Sequence, residues 1–189
     1  MKLNNQYFIL RHGETQITKR RKFIYNWPDK PPVKLTKKGI NQIKKAAKKL
    51  KREKIDLICS SDIYRTRQTA GIVAKEIGLK ISFDKRLRDI NIGIYHGRLK
   101  EEFYRAYPLS TKRFTQKIKR GESWNDVRKR LLNFFKEIEK KHKKKKILIV
   151  SHGDPLWLLE GTIKCLPNQD LLKEISKGSY IKPGEFRKL

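Results

Sequence analysis

Two histidines in this chain each follow an apolar run and precede a glycine. Tyr7-Phe8-Ile9-Leu10 leads into Arg11-His12-Gly13-Glu14-Thr15, and Ile147-Leu148-Ile149-Val150 leads into Ser151-His152-Gly153. A third run, Ile55 to Cys59, passes through Ser60-Ser61-Asp62 into Tyr64-Arg65-Thr66-Arg67. A neutral imidazole is a competent nucleophile near neutral pH, and the glycine behind His12 leaves it sterically open. Arg11 and Arg65 offer planar donors matched to phosphate oxygens, with His152 as a third donor. Cleaving a phosphate monoester needs a nucleophile in line with the leaving oxygen, cations for the equatorial oxygens and a proton for the leaving alkoxide. These residues supply candidates for that chemistry. The sequence carries no Walker-type loop, thiol nucleophile motif or dense Asp cluster, so no metal and no other cofactor is expected. His12 and His152 with Glu14 or Asp89 are the alternative metal-ligand set.

Such groups need strand ends to hold them. Short apolar runs rich in β-branched and aromatic residues read as buried strands, and in open α/β sheets ligands bind at the carboxyl edge. After the first strand, residues 13 to 35 form a polar segment. Its Trp27-Pro28-Asp29 and Pro31-Pro32 are incompatible with helix or central strand, which makes it a candidate active-site flap. Thr36 caps a first helix, strand 55 to 59 follows, and a second helix runs from about Thr66 to Ile77, ended by Gly78. Ile81-Ser82-Phe83 reads as an edge strand, and residues 86 to 120 as short helices covering the site. Gly121-Glu122-Ser123 opens an amphipathic helix whose apolar face is Trp124, Val127, Leu131, Leu132, Phe135 and Ile138. Strand 147 to 150 and a helix from Pro155 to about Ile163 complete the pattern. Alternating strands and helices predict a three-layer α/β/α sandwich around a mainly parallel central sheet.

With 189 residues, the chain fits one domain spanning 1–189, able to bury roughly 70% of its unfolded surface. Met1-Lys2-Leu3-Asn4-Asn5 leads straight into the first strand without an apolar leader, and no run approaches the ~18 apolar residues of a membrane span, so a cytoplasmic location and no membrane partner are expected. Cys59 and Cys165 lack metal-like spacing and read as reduced thiols, Cys59 in the core. The net charge of +29 would ordinarily point to a polyanion. Its distribution argues otherwise: Lys44, Lys45, Lys48, Lys49 and Lys51 fill the positions complementary to Ile40, Ile43, Ala46, Ala47 and Leu50, which is a solvated helix face. Lys140 to Lys146, with His142, reads as an exposed loop. A general lysine bias is favoured over a nucleic-acid surface.

Taken together, the three strand-end motifs resemble the histidine phosphatase superfamily, also called the phosphoglycerate mutase-like family, with matches from about residue 7 to 160 and none in the tail 166–189. The resemblance implies that His12 becomes phosphorylated and that Arg11, Arg65 and His152 form the phosphate pocket with Gly153. The family's proton donor is a Glu shortly before a Gly-x-Trp-x-Gly motif. This chain has Leu87-Arg88-Asp89 before Gly93-Ile94-Tyr95-His96-Gly97, so Asp89 is the donor candidate, one methylene shorter. Thr18 stands where many relatives carry an Asn that touches the phosphate, and Glu122, in Gly121-Glu122-Ser123, matches a motif that faces the pocket.

Read as residues alone, Asp89 also suits a turn or helix cap, Glu122 a helix N-terminal carboxylate, Thr15 and Thr18 loop hydroxyls, and His96 a surface replacement. Arg20, Arg21, Lys22 and Arg113 read as solvated charge or as a grip for a second anion. The expected activity is metal-independent hydrolysis of a small phosphorylated substrate through a phosphohistidine at His12. The rivals are mutase-type phosphoryl transfer, which the resemblance associates with longer chains and a Glu at position 89, and a polyanion- or RNA-binding protein reusing the fold. Substrate identity and oligomeric state stay open.

Overall fold

The computed structural model describes residues 3–20 and 22–189, the side chains of Lys19 and Arg20 excepted. Five strands, β1 (Gln6–Arg11), β2 (Leu57–Ser60), β3 (Ile81–Phe83), β4 (Lys146–Ser151) and β5 (Phe186–Lys188), form one sheet in the order β3-β2-β4-β1-β5. β1, β2, β3 and β4 pair in parallel, while β5 runs antiparallel to β1. The helices are α1 (Gln16–Arg20), α2 (Lys37–Arg52), α3 (Tyr64–Ile77), α4 (Lys100–Ala106), α5 (Lys112–Thr115), α6 (Trp124–Lys141), α7 (Gly153–Ile163) and α8 (Asn168–Ser176).

The uninterrupted apolar runs of β1 and β4 follow from burial on both faces. Successive side chains of a strand point to opposite sides. Tyr7, Ile9, Ile147 and Ile149 join one core with α6, α7 and α8, whereas Phe8, Leu10, Leu148 and Val150 join the other with α2 and α3. The architecture is the three-layer α/β/α sandwich with a mainly parallel sheet. In α2, Ile43, Ala46, Ala47 and Leu50 are buried and Lys44, Lys45, Lys48, Lys49 and Lys51 face solvent, with Thr36 accepting from Gly39 N at the cap. Gly78 ends α3 at φ 74°. Ser123 and Asp126 form a capping box before α6.

Four expectations change. Residues 16–20 form a short helix inside the polar segment to which the sequence assigns no helix, although the Pro-rich part stays non-helical. α3 begins at Tyr64 and therefore includes Arg65. Phe134, absent from the expected face of α6, is buried, while Leu132 is only half-buried. The tail supplies α8 and β5. Among the described residues, no helix is long and apolar enough to cross a membrane. Cys59 is buried and Cys165 exposed, both free.

Candidate active site

Parallel register brings the candidate residues together. Arg11 pairs with Ser151, and Leu10 and Ser60 both pair with Val150, so His12 and His152 leave the sheet at one level, with Ser61 one residue before them. His12 N donates to Ser151 O at 3.1 Å, and the His12 and His152 rings meet edge-on with centroids 5.3 Å apart. Close backbone approach fixes the turn after His12: a Cβ on Gly13 would stand 2.6 Å from Gly39 O, where α2 begins.

His12 Nδ1 lies 2.8 Å from Gly13 O. A carbonyl only accepts, so Nδ1 carries the proton and Nε2 keeps the lone pair. Burial, reinforced by the Arg65 and Arg11 charges, holds this imidazole well below its usual pKa and therefore neutral. His152 takes the opposite tautomer, its Nδ1 accepting from Arg65 Nε at 3.2 Å and its Nε2 donating to Ser61 Oγ at 3.0 Å. It is fully buried, and burial together with Arg65 keeps it neutral too.

Arg65 Nη2 donates to Asp89 Oδ2 at 2.8 Å and to Asn26 O at 2.9 Å. Its Nη1 lies 3.5 Å from Asp29 Oδ1 without hydrogen-bond alignment. Arg11 Nη1 donates to Ile181 O at 2.8 Å, and its guanidinium lies 5.4 Å from the Tyr180 ring centre. Arg11 Nε and Arg65 Nη1 are both buried without a hydrogen bond among the described residues. Buried donors of this kind are costly unless an acceptor meets them, and both belong to residues lining one cavity of about 450 Å³.

Asp89 is buried, its Oδ1 accepting from Ile90 N at 3.0 Å and its Oδ2 3.6 Å from His152 Nδ1. Burial pushes its carboxyl above the usual range; the Arg65 charge pulls against this and the Asp154 charge adds to it. Burial thus favours the protonated form of this carboxyl more than water would, beside a neutral imidazole.

Six of the residues expected from sequence line the cavity: Arg11, His12, Thr18, Arg65, Asp89 and Gly153. Thr18 Oγ1 is engaged locally, donating to Thr15 O and accepting from Thr15 N. His152 backs Arg65 from beneath as an acceptor. Glu122 does not line this cavity but a small adjoining one, which shares Ile90, Phe103, Arg113, Trp124 and Asp154 with it. Its carboxylate binds Arg130 at 2.8 Å and Asn91 N at 2.9 Å, and Arg130 in turn donates to Arg88 O and Asp89 O. Glu122 therefore braces the segment that carries Asp89. His96 Nε2 donates to Lys30 O at 2.9 Å, tying its loop to the flap. The Arg20 side chain and Arg21 lie outside the described residues.

The flap is anchored on both sides of Arg65. Asp29 Oδ2 accepts from Tyr64 N, and Arg88, held bidentate by Asp62, lies 4.0 Å from the Trp27 ring centre. Sequence reasoning missed Asp29, Asp154 and the whole tail. Tyr180 donates to Asp154 Oδ1 at 2.5 Å, and Gly184 N donates to the Arg11 and His12 carbonyls, so the tail closes one wall and braces the histidine strand. A Cβ on Gly153 would fall 2.2 Å from Tyr180 Oη. Gly153→Ala is accordingly expected to displace Tyr180 and cost about 1–3 kcal/mol of stability, measured by denaturant unfolding together with faster hydrogen exchange across residues 177–189. Wild-type stability and exchange in the variant would show that the ring moves freely.

The sandwich with paired strand-end histidines and arginines defines a recognised class, and residues 7–180 match the model of the histidine phosphatase superfamily (branch 1), to which this chain belongs. Over 167 residues it is 35% identical to a protein of Escherichia coli O1:K1 named probable phosphoglycerate mutase GpmB, covering 86% of this chain and 76% of that one. Bacillus stearothermophilus YhfR superposes with a TM-score of 0.82 at 28% identity, over 97% of this chain and 90% of that chain. A mycobacterial glucosyl-3-phosphoglycerate phosphatase in complex with VO3 shares the fold at a TM-score of 0.84 and 22% identity, over 97% and 90% of the two chains. The family match extends about twenty residues beyond the motifs legible in the sequence, through α8 to Tyr180.

Proposed function

We propose that this protein, acting as a single cytoplasmic domain, hydrolyses phosphate monoesters through a phosphohistidine on His12, without a metal ion. One observation carries the reading. A neutral imidazole with Nδ1 pinned to Gly13 O lines the same cavity as two guanidiniums, each of which keeps a buried nitrogen without a hydrogen bond among the described residues.

The substrate phosphoryl group takes the hydrogen bonds that Arg11 Nε and Arg65 Nη1 lack, and the N-terminus of α7 at Gly153 adds partial positive charge. The His12 Nε2 lone pair attacks phosphorus, the ester P–O bond breaks, and Asp89 gives its proton to the departing alkoxide. Ionised Asp89 then takes a proton from a water that attacks the phosphoryl group. The P–N bond breaks and inorganic phosphate leaves. His152, through its acceptor contact with Arg65 Nε, orients the guanidinium.

Mutase chemistry is the second reading, favoured by the 35% identity to a probable phosphoglycerate mutase. The two differ in the acceptor of the phosphoryl group: an alcohol in a mutase, water in a phosphatase. Incubation with 3-phosphoglycerate separates them, since a mutase yields 2-phosphoglycerate and a phosphatase yields free phosphate.

Among the described residues, no three His, Cys, Asp or Glu side chains are grouped to hold a metal ion. Phosphate release from a panel of monoesters is expected to stay within about twofold after prolonged chelator treatment, because imidazole, guanidiniums and carboxyl complete the reaction between them. Loss of turnover on chelation, restored by zinc or manganese, contradicts the phosphohistidine reading.

A further inference from the structure

The cavity has a second end that is not built for phosphate. Three large apolar side chains that stay exposed, Phe23, Tyr104 and Leu109, at 43, 42 and 49%, all line it. They come from the flap and from the segment between Leu99 and α5, which are joined by Ile24 N to Arg98 O and Lys100 N to Lys22 O. Exposed apolar side chains scattered singly need no explanation, but a group at the rim of one cavity marks a contact surface. Tyr25, Phe103 and Trp124 continue the aromatic wall inward.

Among the described residues, the cations lining this end already serve the wall. The Arg113 guanidinium lies 5.0–5.4 Å from the ring centres of Phe103, Tyr104 and Trp124, and its Nε and Nη2 donate to the carbonyls of Pro108 and Tyr107. Lys100 Nζ sits 5.2 Å from the Tyr104 ring centre. Both cations stack on aromatic faces, which argues against Arg113 as the grip for a second anion. Asp154 adds a carboxylate to the cavity wall, held by Tyr180 Oη and Trp124 Nε1. A leaving group bearing its own carboxylate meets that charge in a partly desolvated site. The volume of about 450 Å³ lies in the range of sites that bury drug-sized small molecules, roughly 300–1,000 Å³.

Resting on the phosphatase reading above, we propose that the substrate is the phosphate monoester of an uncharged alcohol with a ring-sized apolar body, seated against Phe23, Tyr104 and Leu109, and that three-carbon phosphocarboxylates are poor substrates.

Ethyl phosphate and 2-phenylethyl phosphate have alcohols of similar basicity and differ in apolar area, so leaving-group reactivity drops out of their comparison. With the full-length enzyme, 2-phenylethyl phosphate is expected to exceed ethyl phosphate in kcat/KM by about 10- to 100-fold, carried by KM, the worth of burying one aromatic ring. 3-Phosphoglycerate is expected to do no better than ethyl phosphate. Tyr104→Ala and Leu109→Ser, at exposed positions that the fold tolerates, should each narrow the preference by about 3- to 10-fold. Equal kcat/KM for the two alkyl esters, a preference untouched by both variants, or 3-phosphoglycerate as the best of the three overturns this inference while the hydrolase reading stands. Phosphate release from none of the three overturns the hydrolase reading itself.

Discussion

His12→Gln lowers kcat for phosphate monoesters by at least about 10⁴-fold, the scale on which removal of a covalent nucleophile acts, and leaves the fold intact. The size of the effect follows from where the other groups sit. In the proposed mechanism Arg11, Arg65 and Asp89 bind and polarise a phosphoryl group, but none offers an uncharged lone pair: both guanidiniums are cationic, and burial favours the protonated form of the Asp89 carboxyl. Glutamine keeps a polar side chain near Gly13 O without an imidazole nitrogen. Vanadate binding should therefore survive within about tenfold, since the charge clamp remains. A variant that keeps turnover within tenfold of wild type would move the nucleophile elsewhere. Circular dichroism and the unfolding midpoint check that β1, held between β4 and β5, is undisturbed.

Asp89→Asn divides substrates by leaving group. Protonating an alkoxide matters most when the alcohol is a poor leaving group, so glycerol and sugar phosphates should lose about 10²- to 10⁴-fold, while an aryl phosphate, whose phenolate departs as an anion, loses only the help Asp89 gives the attacking water and falls less. Two buried groups set the pH profile. Asp89 must be protonated to act, and its raised pKa keeps it so above the ordinary carboxylate range; turnover falls as pH rises through that value. His12 must be neutral, and its lowered pKa keeps it so to well below the ordinary histidine range, with turnover lost only under that point. The active window thus extends higher than an ordinary carboxyl and lower than an ordinary histidine would allow. In Asp89→Asn the alkaline limb disappears for the alkyl esters, whose leaving groups need that proton. Equal losses on both substrate types make Asp89 a positioning residue instead. Asp154, which lines the cavity, is then the next donor to test, because Glu14 is held by Thr36 and Lys38 and Glu122 by Arg130 and Asn91.

The centre of this site was legible because burial on both faces of a parallel strand leaves a plain trace: four consecutive apolar residues, then a turn. Tyr7 to Leu10 and Ile147 to Val150 show it, and the parallel register then brings His12 beside His152. Arg65 was legible through the motif around Ser60-Ser61, although the helix that carries it starts two residues earlier than its apolar period indicates. The tail left no such trace. β5 has three residues, half-exposed or exposed, and pairs with β1 only because that edge of the sheet is open to it. Tyr180 depends on Asp154 and Gly153 for its place, a long-range fit that no period encodes. Glu122 shows a different limit: a residue just before a helix cap belongs to neither repeat, and its direction was set by Arg130 a full two turns along α6. Phe134 was missed for a related reason, since the residues 85–87 cover α6 from the side and Arg86 lies 5.5 Å from the Phe134 ring centre.

The central claim is a phosphoryl group on one nitrogen of His12. Rapid-quench trapping with a labelled monoester, followed by digestion under alkaline conditions, locates it by mass spectrometry, and phosphorus NMR tells Nε2 from Nδ1. An acid-labile, base-stable adduct on the peptide containing Arg11-His12-Gly13, bonded through Nε2 because Nδ1 is committed to Gly13 O, is the predicted result. An adduct on any other residue, or steady turnover with no trapped phosphoenzyme at the shortest quench times, contradicts it.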